Sequence, residues 1–293
     1  MSRLAIPGFV DVLRVSDAAQ IGALADDPRM DRGYQRRGPL LNRMVFGRVA
    51  EVLRVDGRPL PPVARRDDPD RRAAQAANEA RFAAIGERVD AARMQPLAAW
   101  VRGAGGAGAV GPLAQGAVGA LFLPDYRADA ASWRAAEVLG AAPSNFNPLR
   151  ALVWGLTRRV ERARALLAER AGGDASLVHG TGVAIHNIVD ALRRMRSLYA
   201  DTATRASLSP EAAVGRSLVA PKQVLRQPSA AGETAAGRFT PDTLVLLRLE
   251  DANARDPGYD TAFMAGHWCE CPARRWTPAL LAAVWIAAVA GEG

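Results

Sequence analysis

The chain has one lysine, two cysteines and three histidines in 293 residues, and each scarcity excludes a class of protein. Cys269 and Cys271 stand one residue apart, too close for a favourable disulfide and unable to staple distant segments. That usage fits a reduced, cytoplasmic protein rather than a secreted disulfide scaffold. His179, His186 and His267 leave little acid–base machinery, and no Ser/His/Asp or paired-carboxylate arrangement stands out. Long apolar runs are missing too. The longest, Pro278 to Ala290, is too short to span a bilayer and reads as a buried helix, and the N-terminal residues lack a signal-peptide pattern. No membrane partner is expected.

What is present is ordinary for a folded domain: 49% hydrophobic and 23% charged residues, which excludes disorder. A net charge of +8 points at first to nucleic acid. Of the 38 basic residues, however, only Lys222 is lysine, and the arginines accompany abundant alanine and glycine. A GC-rich coding sequence produces that bias without selection for DNA, so no nucleic-acid partner is expected. The length allows one large domain or two ordinary ones, and no linker or internal repeat divides it.

Helical patterns dominate, with few short strands. A strand is predicted at Phe9–Val15, followed by a helix that Ser16 and Asp17 can cap. Residues 31–69 are punctuated by Gly33, Gly38, Pro39, Gly57, Pro59, Pro61 and Pro62 and read as loops with short strands or turns. A long amphipathic helix is expected over Asp70–Arg93, then a Gly/Ala tract, Gly103–Gly119, then helices at 128–139, 148–170 and 182–200. A short helix from Glu211 to about Arg226 stops at Pro228, and Thr243–Leu249 gives the clearest β signal, after the turn Thr240-Pro241-Asp242. Asp256-Pro257-Gly258 reads as a loop, and the chain closes on a buried helix.

Within the Gly/Ala tract, Gly106, Gly108 and Gly111 match the G-x-G-x-x-G pattern of a dinucleotide-binding turn. A dinucleotide-binding enzyme is therefore one alternative, and a strand–turn–helix over 100–112 is its test. His267, Cys269 and Cys271 offer three zinc-type ligands, but a closed structural site needs four and their spacing is unusually tight. The cysteines also sit in a Gly/Pro-bounded loop before an apolar helix, where N–H groups stabilise an anion, so a thiolate there can ligate a metal.

Four motifs in order over residues 215–290 resemble the C-terminal part of cytochrome P450 enzymes. Gln223-Val-Leu-Arg226 answers to the Glu-x-x-Arg helix, with Gln223 in place of the carboxylate. Gly237-Arg-Phe-Thr-Pro241-Asp-Thr243-Leu-Val245 answers to the following turn and strand. Ala252-Asn253-Ala-Arg255-Asp256-Pro257 answers to Ala-Asn-Arg-Asp-Pro with one insertion, and Phe263, Gly266, His267 and a cysteine answer to the haem loop. Counted from Phe263, Cys269 comes one residue early and Cys271 one residue late, so either is a candidate iron ligand, with a slight lean to Cys271.

The resemblance implies a mainly α, P450-like fold of reduced size: one domain over 1–293, with 1–210 helical and 211–293 the haem-loop half. It implies haem b as cofactor, with Phe263, Gly266, His267 and Arg226 around it. It places Thr181, in Leu177-Val-His179-Gly-Thr181-Gly-Val-Ala-Ile-His186, as the central-helix threonine that delivers protons, although no carboxylate precedes it. His179 and His186, seven apart, would share a helix face, either above a haem or satisfied in the core. The implied reaction is monooxygenase, peroxygenase or rearrangement chemistry on a small organic substrate, with a ferredoxin-type electron donor or peroxide. The short chain and the departures from the motifs leave a second reading, a degenerate P450-like scaffold that binds a partner without catalysis.

Overall fold

The computed structural model describes residues 2–291 apart from 56–57, 60–65, 68, 145–146 and 256–258. Gly57, Pro61, Pro62 and the Asp256-Pro257-Gly258 turn, singled out above, lie outside the described residues. The chain builds two compact units, each from three separated segments: 1–75, 142–148 and 220–271 form the first, and 76–141, 149–219 and 272–293 the second. Because the chain passes repeatedly from one to the other, no single linker is visible in the sequence.

The first unit is built on a five-stranded sheet in the order β1-β2-β9-β6-β3. Strands β1 (Ser2–Ile6) and β2 (Val10–Val15) form an antiparallel pair, and α1 (Ala18–Asp26) starts where the Asp17 carboxylate accepts from the Gln20 N–H at 2.9 Å. β3 is Met30–Asp31, β6 is Val224–Pro228 and β9 is Leu244–Leu247. β9 runs parallel to β2, with Val12 opposite Leu244, and antiparallel to β6, with Leu225 opposite Leu246. All four residues of β9 are buried, as the continuous apolar run Leu-Val-Leu-Leu requires of a central strand. Two small hairpins, β4 (Arg54–Val55) with β5 (Arg58–Pro59) and β7 (Gly232–Thr234) with β8 (Gly237–Phe239), complete the strands.

Two expectations are corrected here. Residues 40–52, read as loop from the surrounding Gly and Pro, form helix α2 (Leu40–Val52), because Val45, Phe46, Val49 and Val52 recur at helical spacing and bury one face. Its buried Asn42 donates to the carbonyls of Asp11 at 2.6 Å and Asp242 at 2.7 Å, tying the helix to β2 and to the turn before β9. The helix expected from Glu211 to Arg226 is α12, Pro210–Ser217 only, and Arg226 lies on strand β6. Pro221 explains the stop, since it lacks the N–H a helix needs and pushes Ala220 out of helical geometry. The helix does contain a glutamate, Glu211, but the residue three further on is the buried Val214.

The second unit is helical. Helix α3 (Arg71–Gly86) enters it from the first unit and ends at Gly86, short of Arg93, where a side chain would meet the Arg275 carbonyl at 2.6 Å. It continues with α4 (Gln95–Val101), α5 (Val110–Phe122), α6 (Ala130–Ala141), α7 (Pro148–Leu156), α8 (Arg159–Arg170) and α9 (Ala175–His179). A π-helical turn, Gly180–Ala184, joins α9 to α10 (Ile185–Ala200), and α11 (Thr202–Ser207) and α12 follow. In the first unit, α13 (Leu249–Arg255) and α14 (Tyr259–Phe263) precede the cysteine loop, and α15 (Thr277–Ala290) closes the chain in the second. The helix expected over 148–170 breaks in two at Arg158, whose φ of 49° no α-helix tolerates.

The Gly/Ala tract is a further correction. Residues 95–101 are helix α4, not a strand, and 110–122 are helix α5, so the strand–turn–helix of a dinucleotide site does not form. Gly111 and Gly119 are packing notches in α5. A Cβ at either would strike the ring of Trp133 or Tyr126.

Candidate functional site

The cysteine loop, 263–271, is closed on itself. The Cys271 N–H donates to the Phe263 carbonyl at 2.8 Å, and the Gly266 N–H donates to the Glu270 carboxylate at 2.7 Å. Met264 and Gly266 turn the chain with φ of 52° and 78°, and only the second is a residue suited to that geometry. Phe263 and Met264 are buried beneath it. Two side chains then fasten the loop to the end of α1: His267 Nδ1 lies 2.9 Å from Asp26 Oδ1, and the Trp268 indole donates to the Ala25 carbonyl at 2.7 Å.

The two cysteines end up in different surroundings. Cys271 is half-buried, whereas Cys269 is 6% exposed and lies within electrostatic reach of the Arg226 guanidinium. Arg226 is itself 1% exposed. It donates to the Leu225 carbonyl at 2.7 Å and to Met264 Sδ at 3.6 Å, while its buried Nε has no hydrogen-bond partner among the described residues. Burial works against its charge, and Cys269 and Tyr34 outweigh that, so its pKa stays above the ordinary arginine value.

A second guanidinium, Arg32, stands beside Arg226. Burial, and then repulsion from Arg226, push its pKa down to about 10, so it is still charged at neutral pH. Tyr34 completes the cluster. Its hydroxyl donates to the Leu225 carbonyl at 3.0 Å, and burial raises its pKa. On the outer side Arg32, Arg66 and Arg71 gather around the Trp268 ring, 4.6, 5.5 and 5.5 Å from its centroid.

This donor set suits a haem. A thiolate at Cys269 would have its charge met by Arg226 and Arg32, and the buried guanidinium of Arg226, with its Nε left over, beside that of the half-buried Arg32 is the chemistry that receives carboxylates. It does not suit zinc, because His267 Nδ1 is turned to Asp26. No cluster of three metal-type ligands exists among the described residues.

Thr181 and His179 lie in the second unit, around the π-turn. Thr181 is fully buried, with its hydroxyl committed to the Leu177 carbonyl at 2.7 Å and its own carbonyl accepting from Gln115 Nε2 at 3.0 Å. Gln115 in turn accepts from Ser132 Oγ at 2.7 Å and donates to the Ser132 carbonyl at 3.2 Å, so a buried polar network braces the wide turn. His186 is satisfied in the core: Nε2 lies 3.0 Å from the Ala136 carbonyl, and its ring packs on Trp133 at 5.4 Å. His179 is half-buried at the end of α9, and the π-turn between the two histidines breaks the regular spacing that would align them. Sequence reasoning missed Arg32, Tyr34 and Gln115, which have no local motif and are assembled only by the fold.

No family model and no curated protein sequence matches the chain. Solved structures do. A mutant of P450 EryK in complex with erythromycin B is similar with a TM-score of 0.65 and 15% identity, over 98% of this chain and 84% of that one. CYP175A1 from Thermus thermophilus gives 0.61 and 16% over 97% and 83%. One of the unusual cytochrome P450-like monooxygenases of microbial secondary metabolism gives 0.62 and 14% over 95% and 85%. At such identities the likeness establishes architecture, and the architecture is that of a divergent chain of reduced size with a cytochrome P450-like fold.

Proposed function

We propose that the protein is a haem-thiolate oxidoreductase of cytochrome P450 type, with residues 1–293 acting as one domain and Cys269 as the iron ligand. The observation that carries this is the buried Cys269, within reach of the charges of Arg226 and Arg32, on a loop closed by Cys271 and Phe263 and tied to α1 by His267 and Trp268. Bound thiolate-ligated haem would supply oxygen- or peroxide-activating chemistry, and the protein tunes it through the axial ligand and its surroundings. Arg226 and Arg32 would hold the cofactor's carboxylates. Phe263 and Gly266 shape the loop, and His267 anchors it through Asp26 rather than by touching the cofactor. Cys271 acts through its backbone, closing the loop on Phe263. The substrate class is a small organic molecule, with a ferredoxin-type donor or peroxide as co-reactant. Thr181 could release a proton only after breaking its bond to the Leu177 carbonyl, which makes peroxide use or rearrangement the better-supported chemistry.

Haem titration followed by the ferrous–CO spectrum tests this. A Soret band at the thiolate position is expected, lost in Cys269→Ser and kept in Cys271→Ser; loss only in Cys271→Ser would reverse the ligand assignment. A well-folded protein that binds no haem would leave the scaffold reading. That second reading has its own support: Gln223 and Arg226, which answer to Glu-x-x-Arg, flank and enter a strand rather than a helix, and α12 has Val214 three residues after Glu211, where Glu-x-x-Arg requires arginine.

A further inference from the structure

Helix α7, Pro148–Leu156, leaves its apolar face to solvent. Leu149, Leu152, Val153 and Leu156 are 74, 60, 52 and 77% exposed, and they recur at the i, i+3, i+4, i+7 spacing of a single stripe. A stripe of this kind on a folded domain marks a surface that something covers. The other side of the helix is not apolar. Trp154 is buried there, with Arg150 at 4.5 Å and Arg159 at 5.6 Å from its ring centroid. The same residues, with Arg134, Glu137 and Val138, line a shallow cavity of about 210 Å³. Arg158, Arg159, Arg162 and Arg164 continue the chain into α8, and residues 148–164 contain five arginines against one acidic side chain, Glu161, which pairs with Arg158 at 2.6 Å and leaves a net excess of positive charge.

We propose that α7 is an interfacial anchor that seats the protein on an anionic phospholipid surface. The leucine stripe would enter the acyl boundary, with Arg150 and Arg159, against the Trp154 ring, at the level of the phosphates. Charge decides among the occupants. A second copy would bring its own five arginines against these, whereas an anionic bilayer neutralises them. Size points the same way. A nine-residue helix is roughly 14 Å long, and one face of it falls well short of the ~800 Å² per partner of a stable protein interface. A peripheral anchor needs only an apolar stripe and basic flanks, and its length is not what distinguishes it. The inference does not depend on haem. It revises the expectation of no membrane partner, which rested on span length and the missing signal-peptide pattern; the absence of a spanning helix among the described residues is a separate matter.

The test is flotation of the full chain with vesicles of phosphatidylcholine alone or mixed with phosphatidylglycerol, at low and high salt. Binding to the anionic vesicles only is expected. Leu152→Glu/Leu156→Glu should lower the partition coefficient by about tenfold or more. Arg150→Gln/Arg159→Gln should lower it about fivefold per arginine and flatten the salt dependence. Leu149→Ser/Leu156→Ser is the milder variant, and circular dichroism checks the fold of all three. No flotation on anionic vesicles would overturn the proposal, as would flotation unchanged by both leucine variants. A dimer in sedimentation velocity that the leucine variants abolish, without vesicle binding, would assign the stripe to a second copy.

Discussion

Arg226 and Arg32 place two desolvated positive charges side by side next to an uncharged phenol and a cysteine, an arrangement that lowers the pKa of Arg32 to about 10. For a base, a folded pKa below the unfolded one means the charged form destabilises the fold at every pH below about 10, and the penalty fades only as pH rises beyond it. Like charges kept at such a cost imply use rather than structure. Arg32→Met, which keeps the volume and removes the charge that burial penalises, is therefore expected to leave the apo protein as stable or to raise its melting temperature, since apolar replacement of buried charge is often worth about 1–4 kcal/mol. The same change should weaken haem binding about tenfold or more, through one lost charge-assisted pair. Thermal melting without haem and a Soret titration read the two effects separately. A collapse of the apo protein would mean that Arg32 is a structural keystone instead.

At the scale of elements, α5 shows how composition misleads. Its glycines look like a flexible tract or a phosphate turn, yet Gly119 marks where Tyr126 is pressed against the helix, while Gly116 meets only the Ala128 Cβ at 3.6 Å. Gly119→Ala should lose about 2 kcal/mol, because overpacking of 1–3 kcal/mol exceeds the gain in helix propensity. Gly116→Ala, in the same helix, should gain about 0.5–1 kcal/mol. Paired denaturant melts of the two variants check this, and equal signs would refute the packing account. Elements whose signal is local were legible: β2, the Asp17 cap, β9 and α15 follow from alternation, capping chemistry and apolar runs. Elements decided by partners were not. β6 takes its strand form from pairing with β9, and α2 emerges from between Gly and Pro clusters because its apolar face has β2 to pack on. The site divides in the same way. Phe263, Gly266, His267, Cys269 and Cys271 were visible as one contiguous loop, whereas the guanidinium opposite Cys269 was assigned to a helix, and Arg32 and Tyr34 come from a distant segment with no pattern to announce them.

For the whole molecule, the arginine excess is spent widely on local contacts, and these set the response to acid. Asp27 is held below the ordinary carboxylate value chiefly by its hydrogen bond to Arg29, Asp129 by the Ser132 N–H and Asp201 by the Thr204 N–H. Burial pushes Asp174 the other way, but Arg81 and the Leu177 N–H outweigh it. Asp174 and Asp201 cap α9 and α11, and Asp129 accepts from the first N–H groups of α6, so protonation loosens three helix starts together. A carboxylate whose folded pKa is depressed contributes its full stability above the unfolded value of 3.8 and loses it as pH falls through the folded value. The melting temperature should accordingly be flat with respect to these groups from neutral pH down to about 5 and drop steeply below about 4. Asp174→Ala sharpens the test. At neutral pH it removes a cap and a partly exposed ion pair, together about 1–2 kcal/mol, or a few degrees in a chain of this size. The gap between the variant and the parent should then narrow as pH falls, because acid removes from the parent what the substitution has already taken away. A gap that stays constant down to pH 3 would show that Asp174 contributes through packing, and that its carboxylate charge has no part in holding α9.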